Sequence, residues 1–229
     1  MALAAREIVQ GVHHLNAGAG VYIIDRGDLV IVDTGVPGKT DRILAALAEI
    51  GRAPADVGHI LITHYHQDHI GSLTPLAEAT GAQVYVPGKE ASLIRDGGKP
   101  PPMDRRGLLG LLISPMVKLN QQPPHPVHHE VRGGDEIDVA GEIRVIGCPG
   151  HTVGHVAYLL TDPGVLFVGD AAANLTRLDV MPLNEDFAAA EKSFVALAQL
   201  DFDVAGIAHG RQITRDAAAR FRKVARRFS

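Results

Sequence analysis

The chain has 229 residues, 46% of them hydrophobic and 21% charged, the profile of an ordinary globular protein with enough surface to bury for one substantial core. A formal net charge of −4 excludes an electrostatic footprint for nucleic acid, and the lone cysteine, Cys148, excludes an intramolecular disulfide and fits a reducing compartment. MALAAREIVQG at the N-terminus lacks the apolar core of a secretory signal and no stretch is long enough to span a bilayer, so a cytoplasmic protein of one domain, residues 1–229, is expected.

In chain order, Gly20 to Gly35 reads as two β-rich runs around a turn at Arg26 and Gly27. Lys39 to Gly51 follows with Ile43, Leu44, Leu47 and Ile50 at helical spacing and a closing glycine. A short apolar strand is expected at His59–Thr63, and a helix follows the histidine-rich segment with Ser72 as its N-cap. Further strands are expected at Gln83–Val86, Glu142–Cys148, Val156–Leu160 and Val165–Val168, and helices at Asp186–Leu200 and Thr214–Phe228. The alternation predicts an α/β layered fold with sheet inside and helices outside. Tyr22–Asp33 and Tyr158–Asp170 share one pattern: Tyr, two aliphatics, a polar turn with Gly, four apolar residues and a terminal Asp, with Gly169 as the extra residue in the second copy. Two readings stand: a hairpin pattern that recurs easily, or a duplicated unit whose Asp33 and Asp170 end equivalent strands near a shared edge.

The segment THYHQDHIG, Thr63 to Gly71, carries the chemistry. If the chain stays extended past the strand, the period of two aims His64 and His66 the same way and Tyr65 elsewhere. The turn into a helix beginning near Gly71 then redirects Asp68 and His69 to a second, adjacent position, a spacing that suits two metals better than one. Partners must come from elsewhere, and His151, Asp170 and His209 each follow an expected strand and are flanked by small residues. This mixed nitrogen and oxygen set suits Zn, Mn, Fe or Co, and the single cysteine excludes a thiolate-rich structural zinc site. His13, His14 and His59 read as strand or strand-edge residues; His125, His128 and His129 lie beside prolines in an expected loop. His155 is read as a strand residue, and Cys148 as a buried one.

Taken together, IVDTG, THYHQDHIG, GCPGHTVGH, LFVGDA and IAHG resemble the metallo-β-lactamase fold superfamily, in the glyoxalase II and lactonase-like branch, over almost the whole chain. The resemblance implies an αββα sandwich of two mixed β-sheets flanked by helices, with the site at one edge. It implies two divalent metal ions, Zn above all with Fe or Mn as alternatives, one held by His64, His66 and His151, the other by Asp68, His69 and His209, with Asp170 bridging them. Asp33 is then an orienting carboxylate that accepts the free N–H of a histidine. Two divalent cations against Asp68, Asp170 and a bridging hydroxide leave one net positive charge, able to polarise an ester, thioester, lactone or amide carbonyl, with Asp68 orienting the nucleophile or passing its proton on.

Metallo-β-lactamases proper usually lack the bridging aspartate, so Asp170 argues against a dedicated antibiotic hydrolase. Longer glyoxalase II forms add a C-terminal helical domain, whereas about twenty residues follow His209 here. The alternatives are a phosphodiesterase or ribonuclease on the same centre and a mononuclear iron enzyme similar to the persulfide dioxygenases. Residues 97–126 read as an insertion bounded by prolines, in which Leu108, Leu112 and Met116 recur at helical spacing. It is expected to be a lid, which favours a small-molecule substrate with an apolar portion, or else a contact in a homodimer or a segment packed on itself. The basic C-terminal segment reads as an amphipathic helix docked on the sheet.

Overall fold

The computed structural model describes residues 5–106 and 123–228. The N-terminal half contributes β1 (Arg6–Val9), β2 (Val12–Asn16), β3 (Gly20–Arg26), β4 (Asp28–Val32), α1 (Thr40–Glu49), β5 (Val57–Leu61), α2 (Gln67–Ile70), α3 (Leu73–Thr80), β6 (Gln83–Pro87), α4 (Ala91–Asp96), β7 (Asp104–Arg105) and β8 (His129–Val131). The C-terminal half contributes β9 (Glu136–Ile137), β10 (Ile143–Gly147), β11 (Val156–Leu160), β12 (Val165–Phe167), β13 (Ala173–Asn174), β14 (Leu178–Asp179), β15 (Leu183–Asn184), α5 (Phe187–Leu197), β16 (Val204–Gly206), β17 (His209–Gly210) and α6 (Ala217–Ala225).

Among the described residues these strands form a seven-stranded sheet, ordered β1-β2-β3-β4-β5-β6-β8, and a five-stranded sheet, ordered β16-β12-β11-β10-β9. Both are mixed: β4, β5, β6 and β8 pair in parallel while β1 to β4 are antiparallel, and β16 pairs in parallel with β12 in an otherwise antiparallel sheet. Side-chain alternation explains the layering. Val21 and Ile23 of β3 pack with Ile43 and Leu47 of α1 and Leu73 and Leu76 of α3, whereas Tyr22 and Ile24 face the second sheet. On that sheet Tyr158, Leu160 and Phe167 meet them, while Ala157, Leu159 and Leu166 turn outward to Phe194 of α5 and Phe221 of α6. Strands covered on both faces read as unbroken apolar runs. The result is the expected αββα sandwich, a helix layer on each outer face, and burying each such large side chain contributes about 1.5–3 kcal/mol.

Several boundaries differ from the sequence-based expectation, each for a local reason. The strand before the histidines ends at Leu61 and not Thr63, because the Thr63 amide donates to Asp33 Oδ1 at 2.9 Å in place of a ladder partner. Asp68 and His69 already lie on the single turn of α2, which starts directly after His66 and not near Gly71. Ser72 precedes α3 but does not cap it: its hydroxyl donates to Val36 O at 2.8 Å and accepts from the Lys39 amide at 2.9 Å, tying this loop to the one before α1. Asp186 does cap α5, accepting from the Ala189 amide at 3.0 Å. The last helix starts at Ala217, not Thr214, because Asp216 has a left-handed backbone with φ of 53°. His129 opens the edge strand β8 instead of lying in a loop, and its ring stacks on Tyr85 at 4.4 Å between centroids. Leu108, Leu112 and Met116 lie outside the described residues. No helix among the described residues is long and apolar enough to cross a membrane.

Candidate metal centre

The two hairpins with the repeated pattern, β3–β4 and β11–β12, sit in different sheets, and Asp33 and Asp170 follow their second strands. His64, His151 and His209 follow β5, β10 and β16. Since β10 and β12 are both antiparallel to β11, and β16 is parallel to β12, the strands β10, β12 and β16 share one direction and end at one edge. Strand direction alone therefore gathers, just past the strand ends, residues as distant in sequence as His64 and His209.

The second ring nitrogens fix the tautomers. Thr63 Oγ1 lies 2.8 Å from Asp33 Oδ2 and 3.0 Å from His64 Nδ1. The hydroxyl gives its one proton to the carboxylate and so accepts from His64 Nδ1–H. His69 Nδ1 donates to Asp33 Oδ2 at 2.7 Å, and His151 Nδ1 donates to the Leu183 carbonyl at 2.8 Å. His64 and His151 are left with a bare Nε2, and His69 turns its Nε2 towards Asp170. His66 presents Nδ1 instead, 2.9 Å from both His64 Nε2 and His151 Nε2. Burial holds His64, His66 and His151 below their ordinary pKa, His66 down to about 3, so they are neutral lone-pair donors.

The second group is acidic. His209 Nε2 is 3.1 Å from Asp68 Oδ2, and Asp170 lies 3.3 Å from His69 Nε2 through Oδ1 and 3.3 Å from both His151 Nε2 and His209 Nε2 through Oδ2. Burial alone would lower His209, but Asp170 and Asp68 outweigh it and push it up to about 10; burial likewise opposes the raised His69, where Asp33, Asp170 and Asp68 prevail. Asp68 and Asp170 would be raised by burial and are held low by the histidines around them. This is a position where positive charge is stabilised. His66 Nε2, His69 Nε2, His209 Nε2 and Asp170 Oδ1 are buried without a directed hydrogen bond. Ligand-capable atoms of His64, His66 and His151 lie within 4.8 Å of one another, as do those of Asp68, His69 and His209, and of His64, His69 and Asp170. Lone pairs converge from the neutral His64, His66 and His151, while Asp68 and Asp170 hold positive charge beside them on His69 and His209, charge that a metal would replace on losing those protons; both donor sets fit divalent cations.

The family model described as the metallo-beta-lactamase superfamily matches residues 18–209. The chain belongs to this superfamily. It is 35% identical over 147 residues to a hydroxyacylglutathione hydrolase of Methylobacillus flagellatus, covering 63% of this chain and 43% of that protein. A protein of the same name from Rhodopseudomonas palustris is 33% identical over 156 residues, covering 68% of this chain and 47% of its own. The chain thus spans under half the length of these relatives. Among solved structures, a metallo-beta-lactamase from Cronobacter sakazakii matches with a TM-score of 0.74 at 18% identity, covering 98% of this chain and 91% of that one. A subclass B3 metallo-beta-lactamase of Bradyrhizobium japonicum gives 0.72 at 20% identity, covering 98% and 90%. At these identities the likeness shows the fold.

In this metallo-beta-lactamase fold the residues around the candidate ligands include several that sequence reasoning did not single out. His155, read as a strand residue, lies just before β11 and is in neither group: its Nε2 accepts the Asp170 amide at 3.0 Å and its Nδ1 is 3.1 Å from Cys148 Sγ. Burial pushes the Cys148 thiol up, so it stays protonated. Gly169 permits this packing, for a Cβ there would lie 2.7 Å from His155 Nε2 at a φ of 50°. Glu90, 2% exposed, has its carboxyl pushed up to about 7 by burial against three hydrogen bonds that favour the charged form. A glutamate after a strand carries no motif, so only proximity could reveal it. A cavity of about 490 Å³, lined by Leu175, Val180, Met181 and Phe187 together with Arg106, Arg177 and Arg227, includes Ala173, the strand partner of His209. None of the seven candidate ligands lines it among the described residues, but its size suits a small molecule.

Proposed function

We propose that the chain is a two-metal hydrolase acting on an ester, thioester, lactone or amide carbonyl. The observation that carries this reading is the place of Asp170, 3.3 Å from His69 and His209 of one group and from His151 of the other. His64, His66 and His151 would hold one cation, Asp68, His69 and His209 the second, and Asp170 both, with zinc the first choice and iron or manganese alternatives. Bound divalent cations polarise a carbonyl oxygen and lower the pKa of water from about 15.7 towards 7, making hydroxide available at neutral pH.

The chain's own residues supply the rest. Asp33, Thr63 and the Leu183 carbonyl hold the ring tautomers, so no reorganisation is needed when substrate arrives. Asp68 has a side chain 36% exposed, against 3% for Asp170, so of the two carboxylates Asp68 is the one that could pass a proton towards a leaving group. The relatives named hydroxyacylglutathione hydrolase support a thioester among the candidates.

The test is elemental analysis of wild type and Asp170→Ala together with rates on thioesters, lactones and a phosphodiester. About two zinc or manganese per chain, lost in the variant, with carbonyl substrates cleaved, is the expected result. One iron per chain with oxygen consumption, or cleavage of the phosphodiester alone, would overturn it.

A further inference from the structure

The three histidines of the first group come from two loops on different sheets: His64 and His66 follow β5, and His151 follows β10. Nothing covalent keeps these loops in register, yet a shared cation requires their nitrogens to meet within a few tenths of an ångström. Glu90, the residue before α4, lies between them. Its Oε2 accepts the Tyr65 amide at 2.8 Å, in the middle of the His64–His66 segment. Its Oε1 accepts the Gly154 amide at 2.9 Å and the Thr152 hydroxyl, both in the His151 loop. A Cβ on Gly154 would lie 2.6 Å from Glu90 Cγ, so glycine allows the approach. A second carboxylate repeats the connection: Glu185 accepts the Tyr65 hydroxyl at 2.6 Å while its own amide donates to the His151 carbonyl at 3.1 Å.

We propose that Glu90 is a positioning residue that sets the register of His66 against His151 by giving one carboxylate oxygen to each loop, and so tunes the affinity of the first metal site and not the second. The proposal rests on the two-metal reading. Gln at position 90 keeps the shape but turns an NH₂ towards amide or hydroxyl donors on one side, which separates the loops.

The experiment is chelator competition with Zn²⁺ on wild type, Glu90→Gln and Thr152→Val, giving two stepwise affinities each, with melting of the metal-free proteins as a control. Glu90→Gln is expected to weaken one affinity about 10- to 100-fold and leave the other unchanged, the usual size for residues that orient ligands. Thr152→Val should shift the same affinity less. In a double-mutant cycle Glu90→Gln should be non-additive with His66→Ala and additive with His209→Ala. Equal loss at both sites alongside lower metal-free stability, or no loss at either, would overturn the proposal; if Glu90→Gln does not fold, unchanged affinities in Thr152→Val would do so. Wild type taking up fewer than two equivalents would instead overturn the two-metal reading.

Discussion

His69 donates its Nδ1 proton to Asp33 at 2.7 Å while its Nε2 lies 3.3 Å from Asp170, so one ring spans the aspartates that follow the two hairpins of similar pattern. Asp33 also accepts the amide and hydroxyl of Thr63, and Asn cannot accept as many donors. Asp33→Asn should lower metal affinity about 10- to 100-fold and cost about 1–3 kcal/mol of metal-free stability, read by chelator competition and urea unfolding.

Asp68→Ala should behave differently. The side chain is partly exposed and its partners among the described residues are His69 and His209, so the metal-free protein should lose only the stability of that pairing while one metal equivalent and the hydrolytic rate fall together. Elemental analysis beside initial rates would check this; loss of rate with both metals retained would confine Asp68 to proton transfer.

Gly169→Ala places a methyl group 2.7 Å from His155 Nε2 on a backbone of positive φ. The expected cost is about 1–3 kcal/mol from backbone strain alone, with weaker metal binding through the displaced Asp170 amide. Urea unfolding with and without Zn²⁺ separates the two effects.

Metal removal should destabilise the protein. A ligand that binds only the folded state at about 1,000 times its Kd contributes about 4.1 kcal/mol, so adding and then titrating out a chelator should move the melting temperature reversibly. A melting temperature indifferent to chelator would count against a resident metal.

A pH effect should arise away from the centre. Burial, reinforced by Arg6, lowers His14 to about 4, and its neutral Nε2 accepts from Gln212 Nε2 at 3.2 Å. The unfolded chain takes up this proton first, so the contribution to stability is complete above the ordinary value of about 6.5 and is lost as pH falls from there towards 4. His14→Gln should make the stability profile of the metal-free protein less steep across that window by up to one proton's share, the buried histidines of the centre supplying the rest, measured by urea unfolding at a series of pH values.

The seven candidate ligands were legible because a cluster of metal-binding side chains at a strand end is local, and the strand-terminal His151, Asp170 and His209 lie in recognisable small-residue contexts. The alternating elements made an α/β layered fold legible, and the sandwich followed from the family resemblance that the ordered motifs carry. Ser72 shows the limit: its hydroxyl satisfies Val36 and Lys39 across a loop and not its own helix. The end of β5 at Leu61 was hidden for the same reason, since the competitor for the Thr63 amide is a side chain 30 residues earlier. Glu90 belongs to neither motif nor periodicity, and its partners meet only when the two sheets stack.

The orientation of His151 depends on a main-chain carbonyl, that of Leu183, and not on a side chain. Every amino acid offers the same acceptor at that position, so side-chain replacement at 183 leaves the histidine's tautomer intact as long as β15 keeps its pairing with β7. Part of the support for this centre is therefore invisible to mutation and open only to changes of backbone register, which places Asp33 and Leu183 at opposite ends of tolerance to drift although both do the same job.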